Sequence, residues 1–269
     1  MTKQLKDQLI KLICGIAGLA FFIFLWWLFS YLMHQNGNRL LPYPSDVLET
    51  LNKVLWTIDY GKNTWSAMGW SLARILIGFS VSFVLGAILG TLGGLHPNFA
   101  AFLSPYLTFS KTMPTAAFVL ILVGIFYSFR GLPPYIPCFL VFLVAFPMIY
   151  EAFKSGILSE SQDIQDALEL DCGKKSIAAV REVLWPDSQS YISLSLIQSL
   201  GLAMKVSVMS EILVSSSSAE GGLGGLIQVA QRELAMNEVI AYSLIAILLI
   251  LCVDIPVLIL KKQLKVGLD

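Results

Sequence analysis

The sequence predicts an all-α membrane protein of about six transmembrane helices with one charged helical hairpin outside the bilayer, and three observations predict it. Of 269 residues, 56% are hydrophobic and 13% charged, against roughly half and about a quarter in a soluble domain. Six apolar runs reach the ~20 residues that a helix needs to cross a bilayer: residues 12–33, 75–95, 100–129, 132–150, 191–214 and 239–260. The remaining charge is concentrated, with 12 of the 36 charged residues between Glu151 and Asp187. No other polar stretch is long enough for a second domain, so residues 1–269 read as one transmembrane domain with its core at 66–260. A formal net charge of zero argues against a nucleic-acid surface.

The first run follows Lys3, Lys6 and Lys11 and is long enough to span. The polar His34-Gln35-Asn36 beyond it lacks the small residues of a cleavage site, so it reads as a retained helix rather than a signal peptide. Pro42 and Pro44 then force an extended approach, and Asp46 with Glu49 has the spacing of a capping box. Val47, Leu48, Leu51, Val54 and Leu55 recur at helical spacing, which predicts an amphipathic helix on the membrane surface. Gly78, Gly86, Gly90, Gly93 and Gly94 in the second run predict a buried helix whose backbone approaches a neighbour closely.

The third run is interrupted by Pro105, Lys111 and Pro114, and the fifth carries Lys205 and Glu211. Ionisable groups at membrane depth avoid lipid, so both helices are expected to face the bundle interior. Lys205 and Glu211 lie about 120° apart around one helix and do not pair, whereas Lys111 reaches Glu211 from a neighbouring helix. Two readings stand for these groups: a structural ion pair, or a central path in which Lys111, Pro114, Lys205 and Glu211 take part and a lysine favours an anionic solute. Asp254 in the last run reads as structural. Cys14, Cys138, Cys172 and Cys252 are widely spaced and act as small hydrophobes, with no metal or redox spacing. An odd-to-even walk puts ten Lys and Arg on the side of the termini and five on the other, which places both termini in the cytoplasm.

The segment 151–187 is the one substantial aqueous part. Ile164, Ala167 and Leu168, then Ile177, Val180 and Leu184, repeat at helical spacing on either side of Cys172-Gly173. The pattern predicts a helix, a turn at Gly173 and a second helix stopped at Pro186. Such a hairpin either docks a cytoplasmic partner or folds back on its own bundle.

Gly173 and Pro186 have the spacing of the EAA loop of ABC importer permeases, with Val183 at the loop's aliphatic position. Aligned on the glycine, Ala167, Leu168 and Glu169 occupy the Glu-Ala-Ala positions. Asp166-Ala167-Leu168 fits that chemistry one residue out of register, and Trp185 replaces a leucine. The resemblance extends over nearly the whole chain. The segment 41–48, the Ser71-Leu72-Ala73-Arg74 start of the second helix, Lys111-Thr112-Met113-Pro114, and Glu211 followed by 222–227 resemble the branch that imports sulfonates, taurine, nitrate, bicarbonate and thiamine precursors. Val119 replaces that branch's second proline, and 124–128 replaces its aromatic-glycine stretch.

The resemblance implies a homodimeric permease in a bacterial cell membrane. Its partners would be two cytoplasmic ABC ATPase subunits and an extracytoplasmic solute-binding protein, and its solute a small anionic or heterocyclic molecule. Asp166, Ala167, Leu168, Glu169, Leu170, Asp171, Gly173, Lys174 and Pro186 would meet the ATPase. No phosphate-cradling GxxxxGK[ST] occurs in the chain, so no cofactor is expected on it; ATP and magnesium would sit on the partner. The competing classes are an ion-coupled secondary carrier, which would not explain the hairpin, and an intramembrane enzyme. Against the latter, His34 and His96 stand outside any catalytic pattern.

Overall fold

The computed structural model describes residues 3–37, 40–126, 135–159, 162–171, 173, 176–214 and 219–266. Its helices are α1 (Lys3–Gln35), α2 (Pro44–Trp56), α3 (Ile58–Leu95), α4 (Pro97–Thr112), α5 (Thr115–Phe126), α6 (Ile136–Leu158), α7 (Gln162–Asp171), α8 (Ile177–Ala179), α9 (Trp185–Asp187), α10 (Gln189–Val214), α11 (Gly222–Arg232) and α12 (Met236–Val266). No strand occurs among the described residues. The expected six spans become four helices long and apolar enough to cross, or five with α4 and α5 taken as one broken span. The last expected span, 239–260, lies in α12 (Met236–Val266).

The α3–α6 pair is the spine, and glycine explains its closeness. A Cβ on Gly78 would lie 2.5 Å from the Cys138 carbonyl oxygen, and one on Gly90 2.5 Å from that of Tyr150. Gly86 and Gly94 face Ile149 and Ile157 in the same way. With Ser82 these residues recur every fourth position, so one stripe of α3 has no side chain to hold the helices apart. Ser82 donates back to the Gly78 carbonyl at 2.7 Å, which satisfies its hydroxyl inside the seam.

Proline sets the other joints. Pro147 inside α6 has no N–H for the Leu143 carbonyl, and Ser110 of α4 donates to that carbonyl at 2.7 Å. A freed backbone acceptor in the apolar region thus fastens α4 to α6. Met113 precedes Pro114 with ψ 131°, the extended geometry a following proline imposes, and α4 and α5 diverge there by 103°. The expected interruption of the third run is therefore a sharp break.

The helix α2 is amphipathic as expected, with Val47 and Val54 buried. It begins two residues before Asp46, capped by extended Tyr43 without a side-chain bond. The Asp46–Glu49 capping box is therefore not formed; Asp46 sits inside the first turn, where its charge suits the helix dipole. On the far side, α2 closes over a core of Ile75, Met204, Leu223, Ile227, Tyr242 and Ile245 from α3, α10, α11 and α12. Helix α1 stands apart, with residues 10–24 exposed on every face. Trp26 and Ser30 anchor it by donating to the Pro42 carbonyl at 3.1 and 2.7 Å.

Candidate functional site

Two polar or strained places survive inside this apolar bundle, one near the middle of α3 and one at its C-terminal end, and α10 connects them. At the α11 end Glu211 is buried to 1% exposure and Arg74 to 7%. The Glu211 carboxylate accepts from Arg74 Nη1 at 3.0 Å, from Ser71 Oγ at 2.7 Å and from the Gly224 N–H at 3.1 Å. Ser71 Oγ in turn accepts the Leu223 N–H at 2.9 Å, and Arg74 Nη2 donates to the Glu220 carbonyl. Glu211 is thus the anion at the N-terminus of α11, where free N–H groups and the helix dipole favour negative charge.

Local sequence makes the room. Gly222 has φ +75°, and a Cβ there would lie 2.5 Å from the Glu211 carboxylate. A Cβ on Gly224 would lie 2.5 Å from Glu211 Cβ. Residues 222–224 let the helix terminus approach the acid directly, and the donors of the node belong to α3 and the α11 start while α10 supplies the carboxylate. Such a charge-assisted node pins three helices together and breaks as a unit.

This arrangement corrects one expectation. Lys111 does not reach Glu211; it pairs with Glu151 of α6, and both partners are partly exposed. Arg74 was the missed partner. Its signal was the i,i+3 pair Ser71 and Arg74 on a glycine-rich helix, together with glycines at 222 and 224 that only a close approach explains.

Lys205 is also exposed rather than turned into the bundle. It shares one open row of α10 with Gln198, Leu202 and Met209, while Glu211, two residues beyond Met209, points the other way into the node. Thr115, at the break beside exposed Pro114, lies 3.9 Å from Met209 Sδ through its hydroxyl. Lys205 is one turn before Met209, whereas Lys111 is on α4, four residues before Thr115 across the 103° break. Lys111, Pro114 and Lys205 are thus each exposed, and Glu211 is not.

At the other end, the hairpin packs one face inward. Leu168, Ala179 and Leu184 bury against Leu95 of α3 and Ile157 of α6, with Ile164, Val180 and Val183 beside them. The opposite face is open: Asp166 and Ala167 are exposed and Leu170 is 90% exposed. The hairpin both folds back and presents a surface, because its apolar residues are too many for one face. Gly173 has φ +81°, the left-handed turn expected of it. Helix α7 contains Glu169 and Asp171 in its backbone, with their side chains outside the described residues, as are all of Cys172 and Lys174.

The second helix does not stop at Pro186, as the sequence suggested. Residues Val180–Leu184 widen into a π-turn, with the Trp185 N–H donating to the Val180 carbonyl. The chain continues through α9 into α10, and the Ser188 N–H donates to Leu184 at 3.1 Å. Proline clashes with the carbonyl four residues back and cannot bond it; the wider turn accommodates both defects. Trp185 Nε1 donates to Thr91 Oγ1 of α3 at 3.0 Å, and its ring meets Phe153 edge-on at 5.8 Å. The hairpin, α3, α6 and the start of α10 are joined at this point.

Among the described residues no group of acids, histidines and cysteines could hold a metal, and Cys14, Cys138 and Cys252 are unpaired. Against known proteins, residues 82–266 match the family described as binding-protein-dependent transport system inner membrane component. The chain is 25% identical to the taurine transport system permease protein TauC of Escherichia coli (strain K12), over 84% of this chain and 79% of the relative. It is 26% identical to the bicarbonate transport system permease protein CmpB of Synechococcus elongatus, over 88% and 84%. It is likewise 26% identical to a probable ABC transporter permease of Brucella melitensis, over 75% and 76%. With a family match over two thirds of its length, an all-helical membrane architecture and the ordered motifs, the chain belongs to the binding-protein-dependent transport system inner membrane components, as a permease subunit of an ABC importer.

Proposed function

We propose that two copies of this chain form the path for a small anionic solute and couple it to separate cytoplasmic ATPase subunits through the 151–187 hairpin. The observation that carries the coupling half is the two-sided hairpin. Leu168 and Leu184 hold it to α3 and α6, Leu170 and Ala167 are presented outward, and the chain runs on into α10. A push on the outer face would reach, along the 26 residues of α10 and roughly 39 Å of helix, the Glu211 node at the far end. ATP and magnesium would bind the partner subunits, and a solute-binding protein would deliver solute on the α2–α11 side.

Lys205 supports the path half. An exposed ammonium at membrane depth is costly against lipid, so an aqueous path or a second copy beside that row of α10 suits it better. Lys111 is offset by Glu151, which leaves Lys205 as the cation to attract solute. The taurine and bicarbonate permeases among the relatives agree with a solute bearing negative charge. The ten-against-five bias of Lys and Arg supports termini and hairpin on the cytoplasmic side.

The test is affinity purification of the tagged chain in mild detergent, with wild type, Gly173→Asp and Leu170→Glu compared. An ATPase that accompanies wild type and is lost from Leu170→Glu, with melting unchanged, is the expected result. Recovery of the chain alone, transporting solute in vesicles without ATP, would overturn the proposal in favour of ion-coupled carriage.

A further inference from the structure

Beside the Pro186 joint, on the outer side of the bundle, lies a groove of about 440 Å³ that the transport reading leaves unused. Its floor is Phe83 and Ala87 of α3, Phe153 of α6 and Ile192 of α10, and its rim is Arg181, Trp185 and Gln189. The volume lies within the range of sites that hold small ligands, and such sites pair an apolar lining with few polar groups.

We infer that this groove binds one anionic phospholipid, with an acyl chain on the Phe83–Ala87–Phe153 floor and the headgroup phosphate at Arg181. Three observations favour that occupant. Arg181 is exposed, and no hydrogen bond or ion pair ties it to another described residue. Glu182 and Asp187, the nearest acids in sequence, do not line the groove. The groove also lies at the hairpin end of the spans, where an apolar floor and a tryptophan rim meet the headgroup layer. A soluble anion would use the arginine but leave the floor wet, whereas a phospholipid uses both. Because Trp185 and Pro186 form part of the wall, an occupied groove would brace the joint between hairpin and α10. The inference requires only that the chain spans a bilayer, so it stands apart from the transport reading.

The experiment uses the full chain in nanodiscs of phosphatidylcholine with and without phosphatidylglycerol. Lipid retained after detergent washing is counted by native mass spectrometry, and melting is measured in parallel. Wild type and Arg181→Lys are expected to retain phosphatidylglycerol and to melt higher in its presence. Arg181→Gln should retain about fivefold less, the size of one juxtamembrane basic contact, and Ala87→Leu, which fills the floor and keeps the arginine, should also lose it. Equal retention by wild type and Arg181→Gln overturns the inference. So does equal protection by soluble glycerol phosphate, which would indicate an anion site, or Ile192→Cys cross-linking between two copies, which would indicate a protein-covered groove.

Discussion

Replacing Arg74 by methionine removes the cation that pairs with Glu211 while keeping an unbranched apolar stem. The carboxylate, 1% exposed, would retain Ser71 Oγ at 2.7 Å and the Gly224 N–H at 3.1 Å, both neutral donors. Breaking a buried pair from one side leaves an uncompensated charge and costs about 3–5 kcal/mol. At ~2–4 °C per kcal/mol for a chain of this size, the melting midpoint in detergent should fall by roughly 6–20 °C. The double variant Arg74→Met with Glu211→Leu removes both charges, and its loss should be well below the sum of the single losses, because the partners are coupled. Thermal unfolding followed by size-exclusion chromatography reads all three variants. A fall below ~2 °C for Arg74→Met, or strict additivity in the double variant, would refute the idea that the pair pins α3, α10 and α11 together.

Three further outcomes follow from the same geometry. Gly90→Ala puts a methyl 2.5 Å from the Tyr150 carbonyl oxygen and should cost about 1–3 kcal/mol by forcing α3 from α6; Gly124→Ala, with nothing within 4 Å of its added Cβ, should be neutral or stabilising in the same melting assay. Lys205→Gln should lower uptake of an anionic solute in vesicles more than the paired swap Lys111→Gln with Glu151→Gln; unchanged uptake in Lys205→Gln removes it from the path. Trp185→Phe keeps the edge contact with Phe153 and loses the bond to Thr91, so melting should fall by the equivalent of about 1 kcal/mol while solute moved per ATP drops further.

The parts legible in the sequence were those with a period. The repeat of Gly78, Gly86, Gly90 and Gly94 announced that α3 packs closely on a neighbour, though not that the neighbour is α6, and apolar spacing announced α2 and the helices of the hairpin, though not which way they face. Pairings across distance were not legible. Lys111 and Glu151 are forty residues apart, and Arg74 and Glu211 further still, so charge and depth alone assigned Lys111 to Glu211 and left Arg74 out. Small residues at 222 and 224 mark only where the acid is admitted against the α11 terminus. The isolation of α1 was not legible either, since an apolar run reads the same against protein or lipid.

Pro186 shows why a local rule failed and what its failure provides. Read alone, proline ends a helix; here the chain absorbs it in the Val180–Leu184 π-turn and continues into α10. One extra residue in a turn shifts everything beyond it by about 100° and ~1.5 Å relative to a regular helix. The face that α10 presents, with Lys205 outward and Glu211 inward, is therefore set in part by this turn. Pro186→Ala restores the N–H and relieves the clash, so a regular helix can form with little loss in melting temperature. If the turn relaxes, the hairpin and α10 fall out of register, and ATP hydrolysis stimulated by loaded binding protein should fall severalfold while basal hydrolysis by the assembled complex stays the same. Stimulated hydrolysis and uptake both at wild-type levels would mean that the π-turn only accommodates proline and that coupling passes through Leu95 and Ile157 to α3 and α6 instead.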